Sequence, residues 1–124
     1  MKDVVSFASD VLGAMDYVSG GEIFVPKLPS FKIMDLFHAM FAQHDFSITG
    51  DRVGDKMHET LVLADEMSHT LDALDRFIIL PQDPHWEYIK PKGMNCNGRA
   101  SYSSDTNPEF LSVEEIKERL QRNN

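Results

Sequence analysis

The chain has 124 residues, of which 42% are hydrophobic and 26% charged, a composition typical of one small globular domain. Its formal net charge of -8 argues against non-specific binding of nucleic acid, because such binding needs a basic surface. The single cysteine, Cys96, excludes an internal disulfide and a thiolate zinc cluster and fits a cytoplasmic location. No apolar run reaches membrane-spanning length, and the N-terminus has no secretory signal pattern.

The first part of the chain is predicted to alternate helices with short strands. Apolar residues at helical spacing predict an amphipathic helix over residues 3–18, whose apolar face needs a partner. Residues 22–25 form a predicted strand that Pro26 closes. A second amphipathic helix is predicted over residues 33–43, with Ser30 as its candidate N-cap.

The middle of the chain holds two further predicted strands, over residues 46–48 and 77–80. We expect the strands around Ile23, Ile48 and Ile79 to pair at least in part. Residues 57–62 are ambiguous between helix and strand, and residues 66–74 favour one or two helical turns.

The last part of the chain begins with a long irregular segment and ends in a helix. Residues 82–107 are rich in Pro, Gly, Asn and Ser, and a loop of this length is typically functional or packed on another element. Ser112 and Glu115 have the spacing of a capping box, and Leu111 and Ile116 that of a hydrophobic staple.

Residues 49–59 contain the most suggestive charged loop. Gly50 and Gly54 bracket Arg52 and permit a tight backbone path. A guanidinium in such a loop suits bidentate binding of phosphate or carboxylate. The alternative is a solvated turn with surface charges, which this segment alone favours because short motifs have many chance matches.

Several other motifs lead to no site. His58 and Glu59 begin like a zinc-protease helix, but Val62 stands where the second histidine ligand would be, so no metal site is predicted. Tyr88 and Lys92 match the Tyr-x-x-x-Lys spacing of a dehydrogenase pair, but proline between and around them argues against the helix that the pair requires. The sequence has no Gly-x-Gly-x-x-Gly loop for a dinucleotide and no phosphate-binding loop ending in Gly-Lys-Ser/Thr.

Three blocks of sequence resemble one family in the order in which that family carries them. They are residues 21–36 (GEIFVPKLPSFKIMDL), 49–60 (TGDRVGDKMHET) and 102–112 (YSSDTNPEFLS). The family is that of the bacterial UDP-N-acetylglucosamine 4,6-dehydratases, including the 5-inverting and capsule-synthesis branches, in the extended short-chain dehydrogenase/reductase superfamily. The blocks match its C-terminal region, so the resemblance covers nearly the whole chain.

The resemblance implies an α/β fold in which residues 1–124 form a single C-terminal substrate-binding domain, with about three helices, short strands and a long irregular segment. The Rossmann half of the family, with its Gly-rich loop and catalytic Tyr and Lys, is expected to precede residue 1. No cofactor is therefore expected in this chain, whereas a complete family member uses NADP or NAD. The implied ligand is a UDP-sugar, and no catalytic residue is assigned here.

The resemblance also implies roles for individual residues. Arg52 is expected to grip the UDP diphosphate, and Asp55 to accept hydrogen bonds from the uridine ribose. Val25, Pro26 and Lys27 are expected to line the uracil side. The sequence departs from the family pattern Thr-Gly-Ile-Arg-Pro-Gly-Glu at three positions: Asp51 replaces an apolar residue, Val53 replaces proline and Asp55 replaces glutamate.

Two classes of function follow from these expectations. The first is the nucleotide-sugar-binding portion of a UDP-sugar 4,6-dehydratase or epimerase of polysaccharide biosynthesis, without catalysis by this chain alone. The second is a non-enzymatic interaction module that self-associates or docks on a separate Rossmann partner, a reading motivated by the apolar face of the first helix. A degenerate remnant without activity is a third, weaker alternative.

Overall fold

The computed structural model of the chain describes residues 4–41 and 45–122. Within these ranges there are three α-helices and short antiparallel strands, which confirms the α/β class. The helices are α1 (Val4–Ala14), α2 (Ile33–Met40) and α3 (Val113–Arg122), and the strands are β1 (Ile23–Pro26), β2 (Thr60–Val62), β3 (Thr70–Asp72), β4 (Arg76–Ile79), β5 (Met94–Asn95) and β6 (Tyr102–Ser103). The chain divides into two compact units, Met1–Leu28 with Thr60–Tyr102 and Pro29–Glu59 with Ser103–Asn124, which are taken in turn.

The first unit is built on a four-stranded antiparallel sheet of order β1-β4-β3-β5, and β2 pairs with β6. Ile23 lies opposite Ile79, so the expected pairing of these two strands is confirmed. Strand β4 has a neighbour on each side, and its Phe77, Ile78 and Ile79 are all buried. Pro26 ends β1 at the edge of the sheet, where the missing N–H of proline costs no ladder hydrogen bond.

The first unit also holds α1, none of whose residues is buried. Val4 and Val5 are 85% and 75% exposed, and Leu12 is 66% exposed. The helix is shorter than the predicted residues 3–18: it ends at Ala14, a 3₁₀ turn follows over Met15–Tyr17, and Val18 is extended. The predicted start at Asp3 lies outside the described residues.

The predicted helical turns over residues 66–74 are only partly correct. A 3₁₀ turn spans Glu66–His69, but the chain then enters β3 at Thr70. Thr70 and Leu71 are buried, and β3 lies between β4 and β5, so tertiary pairing overrides the local helical pattern. The ambiguous residues 57–62 contain a strand, β2, and no helix.

The second unit packs α2 against α3. Here the prediction of Ser30 as the N-cap of α2 is wrong. The N-cap position is Lys32, which makes no side-chain capping bond. Ser30 instead forms a parallel bridge with Phe110, in which its N–H donates to the Glu109 carbonyl and its own carbonyl accepts from Leu111, both at 2.8 Å.

The predicted strand over residues 46–48 is also wrong. These residues have no regular structure, and Ile48 is 88% exposed. Phe46 instead packs its ring on Phe37 of α2, with 5.1 Å between centroids, so its apolar character serves a helix contact. Helix α2 ends at Met40, short of the predicted Gln43, which lies outside the described residues.

The capping box of α3 is confirmed. The Ser112 backbone N–H and hydroxyl both donate to Glu115 Oε2, at 2.8 and 2.9 Å, and the Glu115 N–H donates back to the Ser112 hydroxyl at 3.3 Å. Leu111 and Ile116 are buried, as a hydrophobic staple requires. Residues 82–107 contain only the two-residue strands β5 and β6, in line with the prediction of an irregular segment.

Candidate functional site

The charged loop over residues 49–59 belongs to the second unit and contains a tight turn from Arg52 to Asp55. The Asp55 N–H donates to the Arg52 carbonyl at 3.0 Å, and Gly54 has φ +96°. Val53 is not among the residues with positive φ. These features define a type II turn, in which glycine supplies the positive φ at the third position.

The side chains of Arg52 and Asp55 differ in the bonds that they make to the described part of the chain. Asp55 Oδ2 accepts a 2.8 Å hydrogen bond from the Arg52 N–H, so the turn is closed by two hydrogen bonds. Within residues 4–41 and 45–122, the guanidinium of Arg52 has no hydrogen-bond or ion-pair partner. Both residues are exposed. The turn therefore presents to solvent a cation and one carboxylate oxygen that have no partner among the described residues.

The end of the loop is fixed to a second turn of the same unit, which starts at Ser103. The Glu59 N–H donates to the Ser104 hydroxyl at 3.1 Å, and the Ser104 N–H donates to the Glu59 carbonyl at 2.8 Å. In this second turn the Ser103 hydroxyl donates to Asp105, and this bond holds the pKa of the Asp105 carboxyl below its usual value.

Val25, Pro26 and Lys27, the residues expected on the uracil side, lie in the first unit on and just after β1. Val25 is buried in the core of that unit, where its cluster includes Phe77 and Tyr102. Pro26 and Lys27 are half-buried. The structure thus brings Arg52 and Asp55 together in one unit and keeps residues 25–27 together in the other.

Lys27 is part of a charged cluster that sequence reasoning missed. Its Nζ lies 2.6 Å from Asp72 Oδ1 and 4.8 Å from the centroid of the Phe77 ring. Arg99 Nη1 lies 2.7 Å from the other oxygen, Asp72 Oδ2. Asp72 is 11% exposed, so its carboxylate is a largely covered anion between two cations.

The electrostatics of this cluster centre on Asp72. Burial acts to raise the pKa of its carboxyl, but the hydrogen bonds from Lys27 and Arg99 outweigh burial, so the pKa is lowered. No local signal could have identified the cluster, because Asp72 is 45 residues from Lys27 and 27 from Arg99.

The structure also shows the surroundings of three reactive side chains outside the charged loop: Tyr88, Lys92 and Cys96. Tyr88 and Lys92 are not on a helix, and burial, followed by the Glu22 carboxylate, raises the pKa of Tyr88 to about 12. Cys96 is fully buried, and burial raises the pKa of its thiol, which opposes nucleophilic reactivity. Among the described residues, no group of three or more His, Cys, Asp or Glu side chains is placed to hold a metal ion.

Comparison with known proteins identifies the family. The model of a family described as "Polysaccharide biosynthesis protein" matches residues 4–81, which is more than half of the chain. The chain therefore belongs to the polysaccharide biosynthesis protein family.

Individual relatives carry more specific names. The chain is 35% identical over 126 residues to a UDP-N-acetylglucosamine 4,6-dehydratase (inverting) of Campylobacter jejuni serotype O:2, covering 95% of this chain and 37% of that protein. It is 34% identical over 124 residues to the protein of the same name in serotype O:23/36, covering 94% of this chain and 36% of the relative. The chain thus spans little more than a third of the length of these curated relatives.

A solved structure shares the fold. Pen from Bacillus thuringiensis matches with a TM-score of 0.69 and 27% identity, over 90% of this chain and 33% of that one. No helix in the described part of the chain has the length and apolar character needed to cross a membrane.

Proposed function

We propose that this chain binds a UDP-N-acetylhexosamine, as the substrate-binding domain of a UDP-sugar 4,6-dehydratase or epimerase of polysaccharide biosynthesis. The relatives that carry the name UDP-N-acetylglucosamine 4,6-dehydratase support the choice of ligand. In this proposal residues 1–124 serve as one C-terminal domain, and the charged loop of the second unit supplies the contacts to the diphosphate and the ribose.

The observation that carries the proposal is the type II turn with its unpaired Arg52. Within the described residues no acidic side chain neutralises this guanidinium, although the whole chain has a net charge of -8. An arginine that is free in an acidic protein retains its donors for an incoming anion. Its planar fork matches two oxygens of a diphosphate, and such charge-assisted bonds are stronger than neutral ones.

Asp55 has a double role in this proposal. One carboxylate oxygen closes the turn on the Arg52 N–H and so fixes the backbone that carries the guanidinium. The other oxygen accepts from a ribose hydroxyl, as an ionised carboxylate can accept at both oxygens. Asp51 lowers the affinity for diphosphate in this proposal, because it adds a negative charge one residue from Arg52.

Residues 25–27 line the uracil side of the ligand in the proposal, with unequal contributions. Val25 is buried and acts as a fixed support within β1 rather than as a direct contact. Pro26 and Lys27 retain partial exposure, and the Lys27 ammonium is held by Asp72 at 2.6 Å.

We propose binding without turnover by this chain alone. The sequence has no Gly-x-Gly-x-x-Gly loop, and its Tyr-x-x-x-Lys pair is not on a helix, so the residues present do not fit NADP or NAD. The role assigned to the chain is to hold and orient the sugar nucleotide.

Isothermal titration calorimetry with UDP, UDP-N-acetylglucosamine and uridine tests the proposal. We expect heat of binding with both UDP ligands and a much weaker signal with uridine, because uridine lacks the diphosphate that Arg52 is proposed to bind. Absence of heat with both UDP ligands would refute nucleotide-sugar binding by this chain.

A second candidate function is a non-enzymatic interaction module, and the exposed apolar residues of α1 favour it. Val4, Val5 and Leu12 are each at least 66% exposed, which is unusual for an amphipathic helix unless another surface covers it. Size-exclusion chromatography with light scattering separates the candidates. An oligomer whose mass does not respond to UDP favours self-association, whereas a monomer that binds UDP favours the first proposal.

A further inference from the structure

We propose that Ser104 is a positioning residue, which sets the Arg52–Asp55 turn in place for the ligand by holding the end of its loop. This inference rests on the proposed function, because its consequence is measured as affinity for UDP. It gives the third sequence block, residues 102–112, a part in ligand binding, which none of the ligand-binding roles above includes.

The contact between Ser104 and Glu59 is a closed pair of hydrogen bonds. The Glu59 N–H donates to the Ser104 hydroxyl at 3.1 Å, and the Ser104 N–H donates to the Glu59 carbonyl at 2.8 Å. The two residues are 45 positions apart in sequence and belong to the same unit. The loop is therefore tied to a distant segment four residues after Asp55.

Apart from its junction with β2 at Thr60, the loop has few attachments. Residues 49–59 are all exposed, and among the described residues the only hydrogen bonds made by positions 49–57 are the two that close the Arg52–Asp55 turn. An exposed segment with few contacts opens at low free energy. Its geometry thus depends on the point where it joins the folded unit.

The segment that carries Ser104 is well anchored. The Ser103 N–H donates to the Thr106 hydroxyl at 3.1 Å, and the Asn107 N–H donates to the Ser103 carbonyl at 3.0 Å. Asn107 is 8% exposed, and its Nδ2 donates to the Ser30 hydroxyl at 3.0 Å. Ser104 thus connects the exposed loop to a turn whose first and last residues, Ser103 and Asn107, are buried.

Removal of the Ser104 hydroxyl leaves the Glu59 N–H without its partner and gives the loop more conformations in the free state. Ligand binding must then restrict those conformations, which reduces affinity without removing a ligand contact. We expect Ser104→Ala to weaken UDP binding by about 3- to 10-fold, the effect of one lost hydrogen bond.

The test uses three variants of the whole chain. Ser104→Ala removes the hydroxyl, and Ser104→Thr keeps it, with partial exposure at this position leaving space for the added methyl group. Ser68→Ala is the matched control, because the Ser68 hydroxyl bonds to the Asp65 carbonyl in the other unit. The measurements are the Kd for UDP by calorimetry and, without ligand, the amide exchange rate at Glu59 and ¹⁵N relaxation over residues 50–58.

The inference predicts faster exchange at Glu59, greater mobility of the loop and weaker UDP binding in Ser104→Ala, with all three restored in Ser104→Thr and unchanged in Ser68→Ala. Unchanged loop mobility in Ser104→Ala overturns the inference, as does a Kd within twofold of the wild type. If the wild-type chain itself fails to bind UDP, the proposed function is refuted together with the effect on ligand affinity. In that case loop mobility in Ser104→Ala alone decides whether Ser104 positions the loop.

Discussion

Arg52 and Asp55 hold each other through two hydrogen bonds, from the Arg52 N–H to Asp55 Oδ2 at 2.8 Å and from the Asp55 N–H to the Arg52 carbonyl at 3.0 Å. The arrangement uses the backbone of the arginine and leaves its guanidinium unengaged within the described residues. Asp55 thus stabilises the turn that carries Arg52, and the Arg52 side chain stays exposed. We therefore expect the exposed guanidinium of Arg52 to be available to an anion.

The same turn predicts the effect of proline at position 53. Val53 occupies the second position of a type II turn, where proline is favoured because its fixed φ matches the turn. We expect Val53→Pro to restrict the free loop and tighten UDP binding by about 2- to 5-fold. Calorimetry on the variant measures this. Weaker binding by Val53→Pro would show that the ligand requires a different turn.

The turn between β3 and β4 predicts an unusual stabilising substitution. Leu74 has φ +67° and is 88% exposed. Its left-handed backbone conformation costs free energy, and its exposed side chain contributes little burial in return. We expect Leu74→Gly to raise the free energy of unfolding by about 0.5–1 kcal/mol. Leu74→Ala, which keeps the Cβ atom, should leave stability nearly unchanged in urea denaturation. A loss of stability in Leu74→Gly would contradict this explanation.

The charged cluster around Asp72 predicts a pH-dependent contribution to stability. The pKa of Asp72 is lowered in the folded chain by Lys27 and Arg99, so unfolding takes up a proton near pH 4. The stabilisation is therefore fully present above about pH 4, the unfolded pKa, and is lost as the pH falls through the folded pKa.

Asp72→Asn tests this linkage. We expect a loss of about 1–3 kcal/mol at pH 7, because two cations lose their charged partner. The difference between wild type and variant should shrink as the pH falls below about 4. Urea denaturation from pH 3 to pH 7 measures both effects, with exposed Asp16→Asn as the control. A difference that stays constant with pH would contradict the assignment of this proton uptake to Asp72.

The capping box predicts a loss of helix stability. Ser112→Ala removes the hydroxyl that accepts the Glu115 N–H at the start of α3, which typically costs about 1 kcal/mol. Ser112→Thr retains a capping oxygen and should lose less. Thermal unfolding monitored by circular dichroism compares the two. Equal stability of Ser112→Ala and the wild type would mean that the cap contributes nothing to the folded chain.

Elements with strong local signals were predictable from sequence. The pairing of Ile23 with Ile79 follows from two short apolar runs that contain β-branched residues and are bounded by turn residues. The cap of α3 follows from the spacing of Ser112 and Glu115 alone. In each case the determinants lie within a few residues of the element that they define.

Elements set by distant partners were not predictable. Ser30 has the residue type of an N-cap, but bonds to Glu109 and Leu111 place it in a bridge. Phe46 is a residue type that is common in strands, but its ring packs on the Phe37 ring of α2. The cluster of Lys27, Asp72 and Arg99 joins three segments of the first unit. Tertiary contacts decide all three outcomes, and a single sequence does not reveal them.

The candidate site was likewise predictable from sequence only in part. The resemblance singled out Arg52 and Asp55, and the glycine at position 54 was recognised as permissive for a tight turn. The bond from the Arg52 N–H to the Asp55 side chain was not foreseen, nor was the attachment of Glu59 to Ser104. The anion-binding role of the loop stays a prediction from residue type and resemblance, and the hydrogen bonds that shape the loop became visible only in the structure.

The most direct test of the central claim is the affinity of Arg52→Ala for UDP by isothermal titration calorimetry. The matched control is Arg122→Ala, which removes an 80% exposed arginine from α3. We predict that the wild type and Arg122→Ala bind UDP alike and that Arg52→Ala binds it at least about tenfold more weakly, because charge-assisted hydrogen bonds to phosphate are lost. Equal affinity of Arg52→Ala and the wild type would contradict the assignment of Arg52 to the diphosphate.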